Sequence, residues 1–402
     1  MSRTNAIGII ARSGNFLATC LILYSFFGFI FSIELAGQAI NESPDVFTIA
    51  NIHVDVTDKT ASAARKKALS RGENTAFNLL LERLTLRIDH KRLPVLNSKQ
   101  ISTYVKDFAV KNEKNSEIRY LADLTFRFKP DDIRKLLRDN DIQFAETISK
   151  PILVLPVYQL AGAVFLWDDP NPWREAWIGN VGITKKRKRM RASGLVPMVF
   201  GDGDLGDIAA ISAELAIKGD AQRLLGIAKK YKVAKTLVVF ANLSSTLQGT
   251  PVLKIRVSKY GKDTVRHVFS MQIKANKMET IGVLIERSAN EVNAKIEELW
   301  KSDNLLKFED IGVVAVSYPI NNLGEWVDLK SRLKKVAVIE NIELVIFSRS
   351  EVRLNIHFIG GVDQLKLALA QLDMKLKEEE GSWVLRDLKP IKSISKENVK
   401  KK

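Results

Sequence analysis

The chain has 402 residues, more than one hydrophobic core usually organises, so two or three domains of roughly 100–200 residues each are expected. It is 46% apolar and 27% charged, which excludes a disordered chain, a collagen-like repeat and a multi-span membrane protein. Lys and Arg outnumber Asp and Glu by 62 to 46, for a net charge of +16, and the lone cysteine, Cys20, excludes a disulfide framework, a thiol nucleophile and a cysteine-held metal from everything after it.

Arg3 and Arg12 precede an uncharged apolar stretch from Phe16 to Ile33, which Glu34 closes before Leu35-Ala36-Gly37-Gln38-Ala39. A basic start, an apolar middle and small residues at the end meet the requirements of a secretory signal over residues 1–39, with cleavage after Ala39 or, alternatively, after Gly37. An uncleaved inner-membrane anchor is the other reading, because the stretch lies at the lower edge of the roughly 17–25 residues that span a bilayer. Both readings place the remainder in the periplasm, since Arg3 and Arg12 stay cytoplasmic. Thr19 before Cys20, and an apolar run that mostly follows that cysteine, argue against lipidation. A body without cysteine suits an oxidising compartment.

Residues 46–148 read as an α+β unit. Phe47 to Val56 alternates at period two, as a strand does. Thr60 or Ser62 caps a helix from Ala63 to about Leu84, whose apolar face is Ala64, Ala68, Ala76, Leu80 and Leu84 with Phe77 and Leu81 beside them. A short helix over Ser98–Thr103 precedes strands over Tyr104–Asn112 and Arg119–Phe128, which the polar stretch 111–116 turns into a hairpin. Pro130 opens a helix to Arg138.

Residues 149–305 read as a mixed α/β sandwich. The near-continuous apolar run Pro151–Val157 predicts a strand buried on both faces. A helix over Pro172–Trp177, a strand over Leu195–Phe200, a helix capped by Asp207 and running to Lys218, and another capped by Asp220 follow. Strands over Ala234–Leu243, Val252–Val257 and Val265–Ile273 complete the sheet, and a helix over Met278–Trp300 covers it. Residues 306–388 predict the order βαββαβ, a ferredoxin-like domain: a strand at Gly312–Tyr318, a helix at Leu323–Val336, strands at Ile342–Ser348 and Arg353–Phe358, a helix at Val362–Leu372 and a last strand at Ser382–Leu388. Residues 389–402 form a basic tail. The fold class is α+β or mixed α/β, in several domains.

Three stretches carry a resemblance: Ala64–Ala68 with Leu79–Thr85; Leu153-Val154-Leu155-Pro156 leading to Trp167-Asp168, Asn171-Pro172-Trp173 and Ala176-Trp177; and Gly203-Asp204-Leu205 before Asp207. Together they resemble the proteobacterial envelope proteins collected as domain-of-unknown-function family 2066, over most of residues 48–388. The resemblance implies an envelope protein with no established activity. More loosely, the middle unit is similar to the amino-terminal domain of TolB, to CsgG and to the penicillin-binding-protein activator lipoproteins, which implies assembly or regulation.

Half of the six tryptophans lie in Trp167-Asp168-Asp169-Pro170-Asn171-Pro172-Trp173-Arg174-Glu175-Ala176-Trp177. Indoles beside carboxylates suit stacking on a sugar face or docking a peptide of the cell wall, so Trp167, Asp168, Asp169, Trp173 and Trp177 are the partner-binding candidates. Trp173 and Trp177 at i,i+4 share one helix face, and packing on the sheet is their favoured role. Lys185, Lys186, Arg187, Lys188, Arg189 and Arg191 form a basic run suited to anionic lipid headgroups or other envelope phosphates. A solvated loop accounts for it equally well, and without aromatics inside the run it gives no support to nucleic-acid binding.

Gly201-Asp202-Gly203-Asp204-Leu205-Gly206-Asp207 fails the calcium-loop register: with Asp202 first, the sixth position is Asp207 instead of Gly and the twelfth Ala213 instead of Glu, so turns and a helix cap explain it. His53, His90, His267 and His357 show no ligand or triad spacing, and no nucleotide-binding motif is present. No catalytic, metal or cofactor site is therefore assigned. The expected function is a non-enzymatic binding, assembly or regulatory factor of the envelope, with an envelope protein or cell-wall component as partner. The alternative is a glycan hydrolase using paired carboxylates among Asp168, Asp169, Asp202 and Asp204.

Overall fold

Among the described residues the strands form three sheets, over residues 48–128, 152–274 and 311–387. A computed structural model describes residues 45–179, 190–191, 194–262, 264–306, 311–379 and 381–388. The secretory signal expected over residues 1–39, the basic side chains from Lys185 to Arg189 and residues 389–402 lie outside the described residues.

The first sheet is antiparallel, in the order β1 (Thr48–Thr57), β3 (Arg119–Phe128), β2 (Val105–Asn115). Helix α1 (Ala61–Leu84) begins at Thr60, whose hydroxyl accepts from the Ala63 N–H, and covers one face. Its Ala64, Ala68, Ala76, Phe77, Leu80, Leu81 and Leu84 are all buried, as their helical spacing requires. A short α2 (Ser98–Tyr104) opened by an Asn97–Gln100 capping box, and α3 (Pro130–Asp139), complete this layer.

The second sheet has β4 (Ile152–Leu160) near its centre. β4 runs parallel to β7 (Met198–Phe200) on one side and to β8 (Lys235–Ser245) on the other. β9 (Pro251–Gly261) and β10 (Thr264–Lys274) extend the β8 side as an antiparallel meander, while β6 (Met190–Arg191) pairs with β7 and β5 (Ala163–Phe165) with β4. Ile152 to Tyr158 is buried without a break, so both faces of β4 are covered. On one face lie α4 (Pro172–Gly179) and the long α8 (Ile281–Asp303); on the other, α5 (Leu205–Ala210), α6 (Ala213–Lys218) and α7 (Ala221–Lys230).

The third sheet has the order β12 (Ile339–Phe347), β13 (Glu351–Ile359), β11 (Ile311–Pro319), β15 (Ser382–Asp387), β14 (Met374–Glu379), with α9 (Leu323–Leu333) and α10 (Val362–Gln371) in the connections. The elements through α10 follow the expected order. The end differs: α10 leads into β14, a strand absent from the sequence reading, and the closing β15 runs parallel to β11. The alternation of Met374 and Leu376 with Lys375 and Lys377 seats β14, two residues in and two out. The chain is thus a mixed α+β fold. The buried cores of the first and third sheets are continuous, joined where the Leu306 N–H donates to Phe144 O at 2.8 Å. No helix among the described residues is long and apolar enough to cross a membrane.

Candidate functional site

The aromatic segment and the glycine–aspartate loop, separate in sequence, meet on the α5–α7 side of the second sheet. Buried Asn171 starts the arrangement: its Oδ1 accepts the Arg174 N–H at 3.0 Å and its Nδ2 donates to Leu166 O at 3.3 Å. Arg174, so placed, donates through Nη2 to Gly201 O and Asp202 O at 3.1 and 2.9 Å, with its guanidinium 5.9 Å from the centre of the Trp167 ring. Trp167 Nε1 donates to Ile211 O at 2.9 Å. The indole lies so close to the loop that a Cβ at Gly201 would come within 2.6 Å of it, and Gly203 turns the chain at a φ of +75°.

Asp207 anchors the loop from beneath. It is wholly buried; Oδ2 accepts the Tyr231 hydroxyl at 2.6 Å and the Gly203 N–H at 2.9 Å, and Oδ1 accepts Lys230 Nζ at 2.7 Å. Lys230 also donates to Asp204 at 2.6 Å. These two carboxylates raise the Lys230 ammonium's pKa, and Lys230 in turn holds the Asp204 carboxyl below the usual range. Burial, with Asp207 close by, pushes the Tyr231 hydroxyl up. A lysine therefore occupies the place that a cation would take in this loop. The sequence reading of Asp207 as a helix cap is corrected: Asp204 caps α5 by accepting the Asp207 N–H, Ser212 separately caps α6, and Asp207 is an internal ion-pair residue.

What remains open to solvent is a shallow groove of about 280 Å³ lined by Val164, Trp167, Asp168, Ile208 and Glu214. Trp167 is half-buried, Asp168 and Asp169 are exposed, and Ile208 is 52% exposed. Asp168 Oδ2 accepts the Leu166 N–H at 3.2 Å, which fixes the carboxylate on the rim. Glu214, in the first turn of α6, is held below the usual carboxylate range by its own backbone N–H and by Ser212.

Trp173 and Trp177 are absent from this surface. Both are fully buried, with ring centres 5.8 Å apart and planes at 86°, and Trp173 Nε1 donates to Val239 O. As partner-binding candidates they are corrected to core residues, in line with the packing role that their i,i+4 spacing favours. Ile208, Arg174, Lys230 and Glu214 complete the site, and no sequence pattern marks any of them as a site residue. Nothing in sequence spacing ties Lys230 to Asp207.

For the basic run, only the backbone of Arg191 is described, in β6. Just after it, the Leu195 and Val196 N–H groups both donate to Glu297 of α8, at 2.9 and 3.1 Å. Burial pushes the Glu297 carboxyl up. The histidines stay apart: His53 meets Asp123 at 3.0 Å and His357 lies 3.8 Å from Glu343, in two different sheets. No cluster of three or more His, Cys, Asp or Glu suited to a metal occurs among the described residues.

No family model and no curated protein matches the chain. Among solved structures, it is similar to a dodecamer of a single-substitution variant of PelC from Paraburkholderia phytofirmans, at 11% identity and a TM-score of 0.23, over 38% of this chain and 89% of that one.

Proposed function

We propose that the chain is an exported envelope protein that works by binding, as an assembly or regulatory factor of the periplasm, and that the Trp167 groove is its contact face. One observation carries this reading: a half-buried indole clamped by Arg174 and the Asp207-anchored loop, beside exposed Asp168, Asp169 and Ile208. Such a surface is preorganised, so little ordering entropy opposes docking. Its chemistry favours a neutral or cationic partner, whose apolar or sugar face rests on Trp167 while hydroxyl or ammonium groups reach the carboxylates. The basic leader, Arg3 and Arg12 before Phe16–Ile33, supports delivery to the periplasm.

The hydrolase reading is the weaker one. A general acid needs a carboxyl whose pKa is raised. Asp168 and Glu214 share the groove, but Glu214 is shifted the other way, and Asp204 is tied to Lys230. The test is protease treatment of intact spheroplasts, coupled to photo-crosslinking from position 208. Digestion of the chain outside the inner membrane, with a discrete crosslink lost in Asp168→Lys, is the expected result. A protected chain, or hydrolysis of purified cell-wall polymer that Asp168→Ala abolishes, would replace this reading.

A further inference from the structure

A larger groove, of about 530 Å³, lies on the first layer, between α1 and the segment that leads into α2. That volume falls within the range of roughly 300–1,000 Å³ usual for ligand sites. Asn74, Asn78 and Glu82 line it from α1. They are four residues apart, so they form one stripe with steps of about 6 Å. Asn74 Nδ2 donates to Ser98 Oγ at 3.0 Å, which fixes that carboxamide. The side chains of Asn78 and Glu82 have no hydrogen bond or ion pair among the described residues. His90, which also lines the groove, has a buried Nε2 without a partner among the described residues.

The facing segment Leu93–Leu96 belongs to no helix or strand, and the residues at its ends, Leu93 (φ −58°, ψ 138°) and Asn97 (φ −80°, ψ 162°), have extended backbone. No hydrogen bond joins the backbone of Val95 or Leu96 to another described residue, and Val95 is 98% exposed. An extended chain with unpaired N–H and C=O groups accepts another strand alongside it. Same-face residues of a strand recur every 6.6–6.8 Å or so, close to the step of the Asn74–Asn78–Glu82 stripe. A carboxamide offers both donors and an acceptor, the complement of a peptide group. Among the described residues of the lining Glu82 is the one carboxylate, and none is a lysine or an arginine.

We propose that this groove binds an extended polypeptide of three to four residues that carries a basic side chain. Its backbone pairs with Val95–Leu96 and with the asparagine stripe, and its cation reaches Glu82. The site is independent of the Trp167 groove, which belongs to a different sheet.

The test uses the full chain and two fluorescein-labelled peptides, Val-Lys-Val-Thr amide and Val-Glu-Val-Thr amide, followed by fluorescence anisotropy. On a chain of net charge +16, nonspecific attraction favours the glutamate peptide, so a preference for lysine reports Glu82. The expected result is at least tenfold tighter binding of the lysine peptide, inverted by Glu82→Lys and weakened by Asn78→Leu. Slowed hydrogen exchange at the Val95 and Leu96 amides should accompany it, and far-UV circular dichroism of both variants should match the parent. Equal affinity for the two peptides, insensitivity to Glu82→Lys in a folded variant, or unchanged exchange at Val95 and Leu96 would overturn the proposal.

Discussion

Asp207 Oδ1 and Lys230 Nζ lie 2.7 Å apart, with the carboxylate side chain fully buried and the lysine 35% exposed. This pair ties α5 to α7 and sets the height of the loop on which Trp167 rests. Removing the ammonium strands a buried carboxylate, a costlier change than losing a solvent-facing cap. Lys230→Met is therefore expected to lower the unfolding temperature more than Asp204→Asn does, and to change the near-ultraviolet dichroism of the indoles. Equal effects from the two substitutions would mean that Asp207 does not depend on this partner.

The tryptophans of the aromatic segment divide by role. Trp173 fills the core between α4 and the sheet, so Trp173→Ala is expected to cost about 3–5 kcal/mol. Trp167 is half-buried against Gly201 and Arg174, and Trp167→Ala should cost about 2 kcal/mol or less while removing partner binding. Urea denaturation of both variants, alongside the crosslinking from position 208, separates the two effects.

Glu279, which precedes α8, is one of the carboxylates whose contribution to stability is lost in acid. Arg287, with the Asn276 N–H, holds its carboxyl down to about 2, against 4.5 for the free side chain. Above pH 4.5 the group is ionised in both states and its contribution is fully present. As the pH falls from 4.5 towards 2, the unfolded chain takes up the proton first and the contribution is lost. Glu279→Gln should be less stable than the parent at about pH 6, and the gap should narrow by about pH 2.5. Urea midpoints at the two pH values measure it.

Lys301 joins the second sheet's helix to the first layer. It is 5% exposed, donates to Thr85 O at 2.5 Å and Glu82 O at 3.1 Å around the end of α1, and pairs with Glu298 at 3.1 Å. A cation at carbonyls that the helix leaves unpaired is favourable both as a hydrogen bond and against the helix dipole. Lys301→Met is expected to cost about 2–3 kcal/mol and to speed amide exchange at the C-terminal end of α1.

Local patterns announced much of this architecture. The alanine and leucine stripe of α1, its start beside Thr60 and Ser62, of which Thr60 is the cap, the β2–β3 hairpin and the doubly buried β4 each follow from periodicity or from local capping chemistry. The site is otherwise. Asp168 and Trp167 stand out by composition, but Asp207 reads as a cap because aspartate before a helix commonly is one. Its partners Lys230 and Tyr231 are more than twenty residues away and reach it only through the packing of α5 on α7. The same limit hid β14, whose lysines and glutamates disguise a strand with just two inward residues. Long-range pairing, rather than local propensity, decides both.

Contact through the Trp167 face is tested most directly by photo-crosslinking in intact cells from position 208, with Trp167→Ala and Asp168→Lys as matched controls. A single crosslinked species of defined mass, reproducible and lost in both variants while their stabilities stay within about 2 kcal/mol of the parent, is the expected result. The same crosslinking pattern in parent and variants, or none from position 208 in the parent, would contradict it.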